Sequence, residues 1–175
     1  PKKSKSALCY AVVGFIIYVL GIVLFLGLAL NSFLIIRMRS FKTLLFLLII
    51  PTFNDIFAYV IGSKSGKNKM CVSISPNKTW EGSIGGYVTG LVVSLVYGLL
   101  VLKQLPSMLI IAGSIVLPLV AQVGDLSFSS IKRRFEIKDF SNLIPGHGGI
   151  LDRIDSLVFC LMVFNSLMIL FGVIA

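Results

Sequence analysis

An all-α, polytopic membrane bundle of about five spans is the fold class this sequence predicts, and three observations predict it. The chain of 175 residues is 57% hydrophobic, against roughly 45–50% for a soluble domain, and its mean hydropathy is +0.99. Its apolar residues fall in uncharged runs long enough to cross a bilayer. Its basic residues lie in the short segments between those runs, and far more of them on one side than on the other. The net charge of +9 therefore reads as positive-inside topology with room for anionic ligands, and nucleic acid is not an expected partner.

Ala7 to Ile36 carries no charge over 30 residues, where about 20 suffice to cross. One tilted helix or a tight pair of short ones fits. The run is too long for the roughly 7–15 residues of a secretory h-region, so it is read as membrane-spanning although Lys2, Lys3 and Lys5 precede it. Arg37, Arg39 and Lys42 follow. A second span runs from about Thr43 to Ile61, with Asp55 inside it, and leads into a polar loop from Gly62 to Glu81. The third span covers about Ser83 to Leu102. A turn with Pro106 precedes the fourth, about Met108 to Val123, which contains Pro118. A long polar loop, Gly124 to Arg153, precedes the fifth span, about Ile154 to Ala175. Cys9, Cys71 and Cys160 form no C-x-x-C pair and support neither a disulfide framework nor a zinc site. Residues 1–175 read as a single integral-membrane domain. Because the first residue is Pro1, the chain is expected to be a processed or shortened piece.

With five spans, the N-terminus and the second and fourth loops share one side. That side carries twelve basic residues: Lys2, Lys3, Lys5, Lys64, Lys67, Lys69, Lys78, Lys132, Arg133, Arg134, Lys138 and Arg153. The other carries four: Arg37, Arg39, Lys42 and Lys103. The richer side is expected to be cytoplasmic. If Ala7 to Ile36 is a hairpin the N-terminus changes sides, but the two polar loops stay together. Residues around Lys78 can then meet those around His147.

There are seven acids, Asp55, Glu81, Asp125, Glu136, Asp139, Asp152 and Asp155, and most gather in the two loops. Asp152 and Asp155, three apart at a helix start, share a face. The helix dipole alone would favour them there. With Asp125 they could instead hold a divalent metal, since Mg²⁺ takes one or two carboxylates plus phosphates and water. Lys132, Arg133, Arg134, Lys138 and Arg153 lie in the same stretch. They suit either lipid headgroup anchoring or the phosphate contacts of phosphoryl or nucleotidyl transfer. His147 stands in a glycine turn, Gly146-His147-Gly148-Gly149, that permits close approach to a ligand; it is a structural hydrogen-bonder or a catalytic group. Ser75-Pro76-Asn77-Lys78-Thr79-Trp80-Glu81-Gly82 puts a lysine, two hydroxyls and an acid before a span. Ser75 and Thr79 could touch metal or phosphate, and Lys78 phosphate. Trp80 suits an interfacial anchor. Gly62-Ser63-Lys64-Ser65-Gly66-Lys67 resembles a P-loop but is one residue short between glycines and has Asn68 where Ser or Thr belongs. Asp55, within a span, costs roughly 2.5–3.5 kcal/mol at mid-membrane and needs a metal, a basic partner or a polar cavity.

Ser129-x-Ile131-Lys132-Arg133, Lys138-Asp139, Ser141, Ile144-Pro145, His147-Gly148-Gly149-Ile150 and Asp152-Arg153-Ile154-Asp155 together resemble the phosphatidate cytidylyltransferase (CDP-diacylglycerol synthase) pattern over a 27-residue stretch. Asp55-x-x-Ala58-Tyr59-x-x-Gly62 and Ser75-Pro76-x-Lys78-Thr79-x-Glu81-Gly82 resemble two further blocks of that family, in the family's order. The resemblance implies CTP and phosphatidic acid as substrates, CDP-diacylglycerol and pyrophosphate as products, Mg²⁺ as cofactor and K⁺ as a possible second cation. It further implies a homodimer among membrane lipids, in a bacterial inner membrane with the site facing the cytoplasm. By position it implies Asp125 and Asp155 as metal ligands with Asp152 beside them. Ser75 and Ser129 would complete the metal or phosphate shell, with Thr79 near the substrate. Lys78, Lys132, Arg133 and Lys138 would lie on phosphates, with His147 and Arg153 in the catalytic set and Asp55 and Glu81 contributing. The sequence departs from the pattern at Phe128, where members carry Glu, and members are longer, with more N-terminal spans. A related lipid cytidylyltransferase or a polyprenol kinase is the alternative within the class. An ion-coupled transporter using Asp55 is the alternative outside it, and the gathering of acids at one membrane face argues against it.

Overall fold

The computed structural model describes residues 2–141, 149 and 151–174, with the side chains of residues 2–13, 15, 18 and 153 outside that description. The elements are α1 (Lys2–Arg39), α2 (Phe41–Ser65), β1 (Lys69–Cys71), β2 (Ser75–Thr79), α3 (Trp80–Val101), α4 (Ser107–Arg134) and α5 (Leu151–Leu170). Segments of α1, α2, α3 and α4 are long and apolar enough to cross a membrane, and α5 adds a shorter apolar stretch, Ile154–Leu170. The protein is an all-α, polytopic integral membrane protein.

Ala7 to Ile36 lies within one helix, which settles the choice left open between one span and a hairpin. A 38-residue helix is about 57 Å long, nearly twice the hydrocarbon thickness of about 30 Å. The fourth expected span is corrected in length. α4 runs on to Arg134, so the polar loop begins at Phe135 and not at Gly124. The physical reason is a polar face inside the helical repeat. Gln122, Asp125, Ser129 and Lys132 are spaced by three, four and three residues, so they stack along one side of α4 without ending it. Glu136 terminates the helix, with φ of 56°. Ile137 N donates to Lys132 O at 3.0 Å and Glu136 N to Arg133 O at 3.1 Å, a Schellman closure with Glu where glycine is usual.

The second loop is not wholly irregular. β1 and β2 pair antiparallel, with Lys69 opposite Thr79, Cys71 opposite Ser75, and an irregularity between. Thr79 then caps α3, its Oγ1 accepting from Gly82 N at 3.2 Å.

α2 packs most extensively on α3. The buried residues of α3 are small and four apart: Gly82, Gly86, Gly90, Ser94 and Gly98. Such a stripe lets two helix backbones approach closely. A Cβ at Gly86 would lie 2.4 Å from Asn54 O, and one at Gly82 2.5 Å from Ala58 O. The opposite ridge of α3, Ile84, Val88, Val92 and Val96, is exposed, as a lipid-facing surface should be. At the end of the bundle away from the hairpin, Ile36, Phe46, Leu102, Leu109, Phe164 and Met168 are each at most 1% exposed and form one apolar core. Cys160 belongs to that core, as its apolar surroundings in the sequence imply.

Candidate active site at the hairpin end of the bundle

At the hairpin end, α2, β1, β2, α3 and α4 enclose a cavity of about 200 Å³. Every element but β1, which supplies Met70, delivers a polar group, Ser83 in the case of α3. α2 brings Asp55 and Tyr59, β2 brings Asn77 and Lys78, and α4 brings Gln122 and Asp125. Lys78 Nζ is paired directly with the Asp125 carboxylate. The hairpin places that lysine, because β2 runs straight into the Thr79 cap and fixes where Lys78 must stand. The two side chains remain 30% and 24% exposed, so the pair is a solvent-reachable charge pair and its members can exchange partners.

Beneath the charges lies a polar knot. Gln122 Nε2 donates to Asn54 Oδ1 and to Ser83 O, both at 2.8 Å. Ser83 Oγ donates to Gln122 Oε1. Asn54, fully buried, donates from Nδ2 to Pro118 O at 3.1 Å. Every polar atom of the two amide side chains has a partner, and α2, α3 and α4 are pinned together just below the carboxylates. Neither Asn54 nor Gln122 stood out in the sequence as a site residue. The available signal was an amide within an apolar span, three residues from Asp125 in one case and adjacent to Asp55 in the other.

The carboxylates separate into two kinds. Asp125 accepts Lys78 and, at 3.4 Å, Ser129 Oγ. Asp155 is buried and takes Ser156 N at 2.7 Å and Ser156 Oγ at 3.2 Å on one oxygen, Oδ1. Asp55 and Asp125, from two helices, line the same cavity. Asp152, expected beside them, has both oxygens engaged. Lys132 Nζ meets Oδ1 at 3.0 Å, while Phe140 N and Gly149 N reach Oδ2 at 3.0 and 2.9 Å. Burial pushes the Asp152 carboxyl up, but the Gly149 amide, Lys132 and the Phe140 amide together outweigh it and hold it below the ordinary carboxylate range.

The other expected residues fall at varying distances from the cavity. Thr79 lines it while capping α3. Glu81 turns to the hairpin, accepting Asn68 Nδ2 at 2.8 Å and Asn68 N at 3.2 Å. Arg133 donates to Ile74 O at 3.2 Å and to Ile137 O at 3.4 Å. It thereby ties the hairpin to the end of α4. Ser75 begins β2 outside the cavity lining, and Lys138 is exposed beyond α4. His147 lies outside the described residues, as does the side chain of Arg153. Phe128 does not face the cavity. It is 7% exposed and sits among Phe25, Phe140 and Phe159, with ring centroids 6.3, 5.7 and 6.0 Å away.

Among the described residues no group of three or more His, Cys, Asp or Glu is placed to hold a metal ion. Mg²⁺ does not need one. It keeps waters and binds through one or two carboxylates plus phosphates. Asp125 and Asp155, each with acceptor capacity left over, fit that requirement. Asp152 fits it less well, because its acceptors are taken.

A family model described as the cytidylyltransferase family matches residues 3–171. A phosphatidate cytidylyltransferase of Staphylococcus epidermidis is 40% identical over 147 residues, covering 84% of this chain and 56% of that protein. One of Staphylococcus aureus is 38% identical over the same length and with the same coverage. That of Bacillus subtilis is 41% identical over 118 residues, 67% of this chain and 44% of its own. The chain spans about half the length of the curated relatives it matches.

Proposed function

Because the chain belongs to the cytidylyltransferase family, we propose that it carries the transfer site of a CTP:phosphatidate cytidylyltransferase. One observation supports this above the rest: a single cavity unites Asp55, Lys78 and Asp125, which come from three separate sequence blocks. In this reading an oxygen of the phosphatidate phosphate attacks the α-phosphorus of CTP. The bond from that phosphorus to the oxygen bridging the β-phosphate breaks, and CDP-diacylglycerol and pyrophosphate leave. No protein nucleophile is required, since the lipid phosphate is already ionised. Catalysis is positioning and charge neutralisation.

Lys78 is held by Asp125 until a nucleotide phosphate offers it a stronger partner. Lys132, fixed by Asp152, points a second cation toward the same region, and Arg133 keeps hairpin and α4 in register around it. Ser129 and Thr79 add hydroxyls at the rim. His147 and Arg153 take phosphate-facing parts by their place in the family pattern. Asp125 and Asp155 hold Mg²⁺, which when bound would withdraw charge from the reacting phosphates; Asp152 then acts through Lys132 rather than as a ligand. Asp55 is the acid left for a second, monovalent cation, K⁺. The site faces the cytoplasm of a bacterial inner membrane, and the protein works as a homodimer.

The test is a transfer assay in detergent with labelled CTP, phosphatidate and Mg²⁺. Labelled CDP-lipid is expected, with no product when Mg²⁺ is chelated. Absence of product from folded protein at any Mg²⁺ concentration would contradict the reading for this chain.

A further inference from the structure

On the flank of α4 next to the carboxylates lies a second hollow, of about 380 Å³, and it is almost wholly apolar. α1 contributes Ile22 and Phe25, α4 contributes Phe128 and Ile131, and Phe140 and Phe159 close it. Phe25 and Phe159 belong to apolar helical stretches, Val19–Arg39 and Ile154–Leu170. Its closed side is an aromatic cluster. Phe25 and Phe159 meet at 5.3 Å with their rings tilted by 55°, and Phe128 meets both Phe140 and Phe159 edge-on. Gly124 makes the wall possible, because a Cβ there would lie 2.8 Å from the Phe159 ring.

Beside one end of the hollow lies an ion pair, Lys132 with Asp152. Lys132 Nζ stands 5.5 Å from the centroid of Phe140, a lining ring, and is only 12% exposed. A dry slot ending at a cation matches one kind of molecule, an amphiphile with a phosphate at the head of a hydrocarbon chain. We propose that this hollow seats an acyl chain of the lipid phosphate substrate, with Lys132 beside its phosphate and the Phe128 cluster against its methylenes. The inference rests on the transferase reading above and adds where the lipid lies. It also gives Phe128 a part: where the family pattern has Glu, this chain has an aromatic floor for the acyl slot, on a flank of α4 that the Lys78–Asp125 cavity does not reach.

The probe is a phosphatidate carrying a diazirine midway along one acyl chain. It is photolysed with the purified protein in phosphatidylcholine vesicles without CTP, and the labelled peptides are identified by mass spectrometry. Label is expected on the segments holding Phe25, Phe128 and Phe159, displaced by unlabelled phosphatidate and not by more phosphatidylcholine. Gly21 lines the slot, and a Cβ there meets nothing within 4 Å. Gly21→Leu should therefore fill the slot without disturbing α1 and reduce labelling roughly tenfold, the loss expected when about two methylenes are denied a dry site. Gly27→Leu, on the same helix, equally unobstructed and outside the slot, should leave labelling unchanged. Ile22→Trp, at an exposed position, repeats the block if Gly21→Leu does not fold. Label confined to other segments, equal labelling by a phosphatidylcholine probe, or labelling undiminished by the filled slot would overturn the proposal. Turnover measured on the same preparation separates the two readings. A labelled slot without turnover contradicts the transferase reading alone, and turnover with an unlabelled slot contradicts the slot alone.

Discussion

The two ends of this bundle are built from the same helices on opposite principles. Away from the hairpin, Phe46 of α2, Leu109 of α4 and Phe164 of α5 are packed dry with almost no exposure. At the hairpin end the same three helices present Asn54 and Asp55, Gln122 and Asp125, and Asp155. Lipid offers helices little hydrophobic drive to associate, so the apolar end holds by close packing and the polar end by hydrogen bonds. The difference teaches that stability and chemistry are separable along one helix axis. Residues at the far end should matter for folding and not for turnover, and the carboxylate and lysine groups should show the reverse.

Four substitutions break or sharpen that contrast. The largest effect is expected from Lys78→Met. Turnover should fall roughly a hundredfold to a thousandfold, the range for removing one preorganised charge donor. Thermal stability should change little, because the ion pair is partly solvated. Phe46→Ala should do the opposite, costing about 3 kcal/mol by leaving a cavity while activity per folded molecule stays unchanged. Denaturant unfolding in mixed micelles measures the first quantity and the transfer assay the second. Gln122→Leu should fall between them, since it strands Asn54 Oδ1 and frees the seam under the carboxylates. About 1 kcal/mol of stability should be lost, together with a measurable loss of turnover. Glu136→Gly is the smallest. Relieving the left-handed backbone at the end of α4 should raise stability by less than about 1 kcal/mol, with activity unaltered.

Much of this plan was legible in the sequence. The spans were set by uncharged length, and the meeting of the two polar loops followed from span parity. What was not legible shares one cause: polar side chains used inside secondary structure. α4 was cut at Gly124 because Asp125, Ser129 and Lys132 look like loop residues until their helical spacing is noticed. The hairpin escaped because Ser75-Pro76-Asn77-Lys78-Thr79 has no apolar alternation and contains a proline. Asp152 resembled Asp155 by spacing and differs in its partners, Lys132, Phe140 and Gly149, which helix periodicity does not report. Phe128 read as a lost acid; its aromatic neighbours come from three other segments.

The central claim is that the carboxylates at the hairpin end serve transfer and not folding. The most direct measurement is Mg²⁺-dependent turnover of labelled CTP by Asp125→Asn and Asp155→Asn, each normalised to folded protein and set beside Phe46→Ala. The account predicts that both acid variants stay folded and lose turnover by at least roughly a thousandfold, while Phe46→Ala keeps it. Turnover surviving in both acid variants, or lost only in proportion to unfolding, would contradict it.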